Sequence, residues 1–312
     1  MGLIDLHCDT IMLLMDQENV GLRQNDLSID SEKLKGAESL AQFFALYVDM
    51  GKYSKPFEEG LRMADRFYQE LDKNKDLIAW AGNGAEIRQN QLEGKISAML
   101  SIEEGGVLAG KLEHLRTFYR LGVRMITLTW NYPNEIGFPH GQEHGEKGLT
   151  PFGLKIIEEM NRLGMLVDVS HLSEGGFWDV VKHSKAPFMA SHSNCRTLRE
   201  HTRNLTDEQI RTLSDRGGVM GSSVVASFLN DPTLNSNRID DMVRHINHAY
   251  QIGGLDVIAI GTDFDGTVAG KELSRIDEMY RLADALKKAG YKEDAIEKIW
   301  WKNALRVIDE VL

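Results

Sequence analysis

Two cysteines, Cys8 and Cys195, are all that the 312-residue chain contains. Thiols so few and so far apart exclude a disulfide framework and fit a reducing compartment, so a cytoplasmic location is expected. No apolar run approaches eighteen residues and mean hydropathy is −0.32, so no membrane partner is expected. Basic blocks are missing too. The 36 Lys and Arg stand against 47 Asp and Glu, a net charge of −11, whereas nucleic-acid phosphates call for clustered cations. The opening Met1-Gly2-Leu3-Ile4-Asp5-Leu6-His7 has neither the basic residues nor the apolar stretch of a signal peptide, and no Ser or Thr at the myristoylation position. Nucleophile-elbow, phosphate-loop and Rossmann glycine patterns are absent as well.

What is present is 42% hydrophobic residues in a chain long enough to bury about three quarters of its unfolded surface. Short β-branched and apolar runs, Leu3 to Leu6, Gln42 to Val48, Ile96 to Ile102, Met125 to Thr129, Met165 to Val169, Pro187 to Ala190, Gly218 to Ser222 and Val257 to Gly261, alternate with stretches of helical spacing. Ser173-Glu174 and Thr206-Asp207-Glu208 read as helix starts. Eight such units predict parallel strands with right-handed crossovers that close into a (β/α)8 TIM-type barrel, one domain spanning 1–312. An open sheet is the rival. Closure is favoured because His7, Glu103-Glu104, His171, His192 and Asp263 each follow a different strand, and only a barrel brings five strand ends to one mouth. Long connections at 49–95 and 131–150 are expected to be lids or small extra elements. Trp300 and Trp301 are expected to pack the last helix.

The chemistry-bearing residues fall into groups. His7 and Asp9 flank Cys8 and can reach one cation, because side chains two apart on a strand share a side. His nitrogen with carboxylate oxygen suits zinc and its neighbours. Ser170-His171 and Ser191-His192 end successive strands, so their histidines can share a second cation, with Asp168 behind as a supporting or core polar group. One of Glu103 and Glu104 can bridge the two ions. Asp263, in Asp263-Phe264-Asp265-Gly266-Thr267, faces the first strand as a ligand or an acid/base. The same string opens haloacid-dehalogenase phosphatases, but only 45 residues follow it, without the paired aspartates that chemistry needs. His140-Gly141-Gln142-Glu143-His144 imitates a zinc motif that requires a helix, which Pro139, Gly141 and Gly145 disfavour. Both histidines are read as loop residues lining the entrance.

Together, His7-Cys8-Asp9, Glu104-Gly105-Gly106, Thr127-Leu128-Thr129, Asp168-Val169-Ser170-His171, Ser191-His192-Ser193, Arg203-Asn204-Leu205 and Asp263-Phe264-Asp265-Gly266 resemble the membrane (renal) dipeptidase family of the amidohydrolase superfamily. The resemblance implies a binuclear metallopeptidase with two divalent ions, zinc above others. His7 and Asp9 would bind one ion, His171 and His192 the other, and Glu104 would bridge, with Asp263 as strand-eight ligand and acid/base. A metal-bridging hydroxide would attack the peptide bond. Arg203 would hold the free C-terminal carboxylate of a dipeptide. Where the mammalian enzymes carry a His after Thr-Leu-Thr, this chain has Trp130 and Asn131, expected to contact substrate. A homodimer is compatible with the sequence. Hydrolysis of a cyclic amide, lactone or phosphoester is the alternative activity, and a non-catalytic metal-binding protein on the same fold is the other.

Overall fold

The computed structural model describes residues 2–17, 19–141, 143–230, 238–268, 270 and 272–312. Its strands are β1 Leu3–Cys8, β2 Ser39–Tyr47, β3 Ile78–Trp80, β4 Ile96–Glu103, β5 Val123–Thr127, β6 Leu166–Asp168, β7 Met189–Ser193, β8 Val219–Ser222 and β9 Ile258–Ile260. Parallel pairing runs from β1 through β2, β4, β5, β6, β7 and β8 to β9 and back to β1, which closes the (β/α)8 barrel. Burial on both faces explains why the strands read as apolar runs rather than alternating ones. Among the described residues no helix is long and apolar enough to cross a membrane.

β3 is the strand that hydropathy spacing does not reveal, being three residues long. It pairs with the first residues of β4, Ile78 with Ile96 and Trp80 with Ala98, on the edge that β5 uses only from Leu100 onward. The connection that contains it also carries the 18-residue helix Pro56–Lys73 and the helix Gly84–Leu92. Ser173 and Thr206 cap helices as anticipated, Thr206 within a capping box closed by Gln209.

Alternation places Ile4, Leu6, Phe43, Met99, Met125 and Met189 in one apolar cluster inside the barrel, continued by Ala304, Leu305, Val307 and Ile308 of the last helix, Asn303–Val311. That helix plugs the end opposite the polar mouth. Burial of a side chain of Phe43 or Met99 size is worth roughly 1.5–3 kcal/mol. Trp300 is buried, as expected for a packing residue.

Two breaks in alternation aim side chains at the mouth. Asp5 and Cys8 of β1 oppose Gln42 and Phe44 of β2, three steps against two, which is a bulge. Leu6 faces the interior cluster, so plain alternation would next send Cys8 inward. The extra residue turns His7 inward instead and sends Cys8 into the outer core. β7 repeats the device: Ala190 to Ser193 spans three steps against two from Met220 to Ser222. There the bulge pushes the Ser191 carbonyl toward the barrel axis. A Cβ added at Gly221 or Gly261 would lie 1.9 or 1.7 Å from that oxygen, so both strands need glycine at that level. Gly261→Ala is expected to cost about 1–3 kcal/mol or more, read as a lower denaturant midpoint at unchanged slope; a wild-type midpoint would count against this packing constraint.

Candidate metal centre

Beyond the strand ends His7, Asp9, Glu103, His171, His192 and Asp263 converge. The Glu103 carboxylate stands in the middle. Its Oε2 lies 3.0 Å from His7 Nε2, and its Oε1 lies 2.9 Å from His171 Nε2 and 3.5 Å from His192 Nε2. His7 Nε2 is also 3.4 Å from Asp9 Oδ2. His171 Nε2 and His192 Nε2 are 3.1 Å apart, and the His7 and His192 rings stack with centroids 4.0 Å apart. Three sets of possible ligand atoms each fit within 4.8 Å: His7, Asp9 and Glu103; Glu103, His171 and His192; His7, His192 and Asp263.

This donor set fits divalent cations. Both ring nitrogens of His7 and Oδ1 of Asp9 are buried without a hydrogen-bond partner, although His7 Nε2 lies close to two carboxylates. Proximity without hydrogen-bond alignment is what nitrogen and oxygen lone pairs aimed at a shared ion produce. Electrostatics agree. Burial, reinforced by the neighbouring Asp9 and Glu103 charges, pushes the Asp263 carboxyl well up, and burial raises Asp9 to about 6. Burial and the Arg203 charge press His171 down to about 4, so its imidazole is in the neutral form that ligates. A dication would compensate the crowded carboxylates.

Outer contacts orient the ligands. Asp168 Oδ2 accepts from Ser191 Oγ at 2.6 Å, and that hydroxyl lies 2.8 Å from His192 Nδ1. The carboxylate therefore fixes the His192 tautomer through Ser191, leaving Nε2 free. Thr127 Oγ1 and two backbone N–H groups, of Ser170 and Ser191, complete the Asp168 shell. His171 and Asp263 take left-handed backbone conformations, φ 66° and 63°. Such strain in non-glycine residues persists only where the surroundings enforce it.

Glu104 corrects an expectation. It does not stand between the histidines: its carboxylate accepts from Gly106 N at 2.6 Å, Trp130 N at 2.9 Å and Asn134 Nδ2 at 2.6 Å. The reason is strand parity. β4 sends Ser97, Met99, Ser101 and Glu103 to one face, so Glu104, one residue past the strand, turns to cap the short turn that follows. Asp265 is likewise occupied, accepting from Thr10 Oγ1 and Ser28 N.

A cavity of ≈ 360 Å3 opens above the cluster, lined by Asp9, Glu103, His171 and Asp263 on its floor and by Tyr47, Trp130, Asn131 and Phe228 around it. Tyr47 was not anticipated. It ends β2, and its ring meets the Trp130 ring edge-on at 5.0 Å; a terminal strand position beside Glu103 was the available signal. Asn131 reaches His171 rather than standing free, with its Oδ1 3.0 Å from His171 Nδ1. Arg203 is buried beside the cluster. Its guanidinium donates to the His192 carbonyl at 3.1 Å and lies over Phe228, while Nε has no partner. Burial lowers its pKa to about 10.

The whole chain, residues 1–312, matches the family described as Membrane dipeptidase (Peptidase family M19). The chain belongs to the membrane dipeptidase family. It is accordingly a metallo-dipeptidase, a hydrolase that uses divalent metal. An uncharacterized protein in the pqqA 5' region of Klebsiella pneumoniae is 37% identical over 79% of this chain and 96% of its own. An uncharacterized dipeptidase of Schizosaccharomyces pombe is 29% identical over 98% of this chain and 79% of its own. Among solved structures, a metallopeptidase from Rhodobacter sphaeroides, liganded with a phosphinate mimic of the dipeptide L-Ala-D-Ala, superposes with TM-score 0.92 at 25% identity, covering 100% of this chain and 99% of that one. The dipeptidase AC, also a metallopeptidase, gives TM-score 0.93 at 26% identity over 100% and 98% of the two chains.

The two adjacent glutamates give a direct test for this metallo-dipeptidase. Glu103→Gln is expected to abolish retention of metal through gel filtration after reconstitution. Glu104→Gln is expected to retain metal and to lose about 1–3 kcal/mol of stability, the cost of disrupting a buried acceptor with three donors. Equal metal loss in both would refute the assignment.

Proposed function

We propose that the chain hydrolyses dipeptides with a free C-terminal carboxylate using two divalent ions, zinc by the chemistry of the donors. His7 and Asp9 would hold one ion and His171 and His192 the other. The observation that supports this is Glu103, whose two carboxylate oxygens face opposite histidine sets at 3.0 and 2.9 Å. Glu103, not Glu104, would then be the bridging ligand. Bound divalent ions supply Lewis acidity for the scissile carbonyl and lower the pKa of water to near 7.

The remaining steps belong to side chains of this chain. Asp263, its carboxyl pushed well above the usual range by desolvation, accepts a proton from the attacking water. It delivers that proton to the nitrogen of the leaving amine, as a positioned carboxylate can. Arg203 pairs with the substrate carboxylate. Its unpartnered Nε and rigid fork suit bidentate recognition, and a buried guanidinium gains more from that pairing than an exposed one. Trp130 and Tyr47 wall the cavity, whose volume lies within the roughly 300–1,000 Å3 range of small-molecule sites, and so limit the substrate to short peptides. The Rhodobacter sphaeroides relative, with its phosphinate dipeptide mimic, supports a substrate of that size. Cys8 and Cys195 are free and buried, which suits a cytoplasmic enzyme.

Metal analysis after reconstitution tests the centre: about two equivalents are expected, and one or none would overturn the binuclear reading. Asp263→Asn should keep its metal and lose kcat by orders of magnitude, while near-normal turnover would remove the proton-transfer role. Arg203→Ala should lower kcat/KM on free dipeptides and erase the preference for them over C-terminally amidated ones. A preference that survives in the variant would place carboxylate recognition elsewhere.

A further inference from the structure

The two histidines of the 140–144 string part company in the fold. His144 lies tilted against the Phe138 ring, with centroids 5.5 Å apart, and meets Lys147 Nζ at 3.3 Å, away from the cavity; Gln142 lies outside the described residues. His140 instead enters the outer contacts of the metal centre. Its Nε2 lies 3.0 Å from Asn131 Oδ1, the same oxygen that lies 3.0 Å from His171 Nδ1, and its Nδ1 lies 2.7 Å from Thr202 Oγ1. We propose that His140 is a positioning residue for the ligand His171, acting through Asn131 and linking it to the loop that carries Arg203. The inference rests on the two-ion reading above.

One proton arrangement satisfies every contact. His171 Nε2 faces Glu103 and His192 and must be unprotonated to ligate, so Nδ1 carries the hydrogen and donates to Asn131 Oδ1. That fixes the amide with its oxygen inward. The same oxygen then accepts from His140 Nε2–H, and His140 Nδ1 accepts from the Thr202 hydroxyl. Asn131 is solvent-exposed, and an exposed amide on a loop would otherwise swing freely; the second donor pins it.

Backbone contacts run in parallel. His140 N donates to the His171 carbonyl at 2.6 Å, and Ser173 N donates to the Phe138 carbonyl at 3.0 Å. The His171 carbonyl also accepts from Thr129 Oγ1 at 3.1 Å. These bonds hold His171, left-handed and past the end of β6, where no strand ladder fixes it. Thr202 directly precedes Arg203, so the loop that carries the guanidinium is tied to the His171 imidazole through this chain of hydrogen bonds. Partners of this kind are worth about 10–100-fold in metal affinity.

Titration of the apo-protein with Co2+, followed by visible absorption and paired with the apo Tm, tests this. Wild type is expected to take up two ions. His140→Ala should weaken one of the two sites by about 10–100-fold, with the other site and the apo Tm unchanged. His140→Gln, whose amide nitrogen can still donate to Asn131, should recover most of that affinity, and His144→Ala should match wild type. Two unchanged sites in His140→Ala would overturn the proposal, as would both sites weakening together with a lowered apo Tm, the signature of a structural role. If His140→Ala fails to fold, Thr202→Val decides: about a 2–10-fold loss at one site is expected from one missing hydrogen bond, and no loss overturns the role. A wild-type protein that binds a single ion overturns the two-ion reading instead.

Discussion

Three carboxylates, the buried Asp9 and Glu103 and the partly exposed Asp263, crowd into one small volume among His7, His171 and His192. A charged group taken out of water costs several kcal/mol unless it is compensated, so this cluster is costly to bury, and cations would relieve it. The rest of the fold answers that demand. The barrel gathers strand ends that are distant in sequence. The last helix seals the opposite end, and the apolar interior behind the mouth keeps the polar groups at one level.

Within that frame, the aim of His7, His171, His192 and Asp263 depends on local departures from regular structure. Bulges in β1 and β7 bring His7 and His192 inward where plain alternation would not. The β7 bulge forces the Ser191 carbonyl over Gly221 and Gly261, so the orientation of one histidine governs which residues two neighbouring strands can carry. His171 and Asp263 leave their strands in left-handed conformations. Hydrogen bonds from His171 Nδ1 to Asn131 and from His192 Nδ1 to Ser191 leave Nε2 of each imidazole facing the cluster. Catalytic geometry here is held by loops as much as by strands, and the connection at 131–150 contributes cavity wall, backbone straps and the His140 contact at once.

Much of this was legible in the sequence because it depends on short-range pattern. Alternating apolar runs and helical spacing specified eight strands and a closed barrel. Histidines and aspartates at strand ends marked the mouth, since polar residues directly after buried strands have few other places to go. The family resemblance carried Arg203, which no local pattern singled out. β3 escaped notice because three residues give no period to measure. His140 belongs to a string that imitates a zinc motif, and in the fold its ring nitrogens meet Thr202 and Asn131. Its contact with Asn131 arises from chain segments nine and more residues apart and has no signature in spacing.

The choice between Glu103 and Glu104 separates what each level decides. Sequence alone determined that a carboxylate stands at the end of the third barrel strand, because composition and order are sufficient for that. Only the tertiary structure decided which one, since side-chain direction follows from strand parity and from the competing donors at Gly106, Trp130 and Asn134. The same holds for His7 and His192, whose inward turn is set by a one-residue mismatch with a neighbouring strand. Residue identity supplies the chemistry. Register and bulge, which exist only between strands, determine where it points.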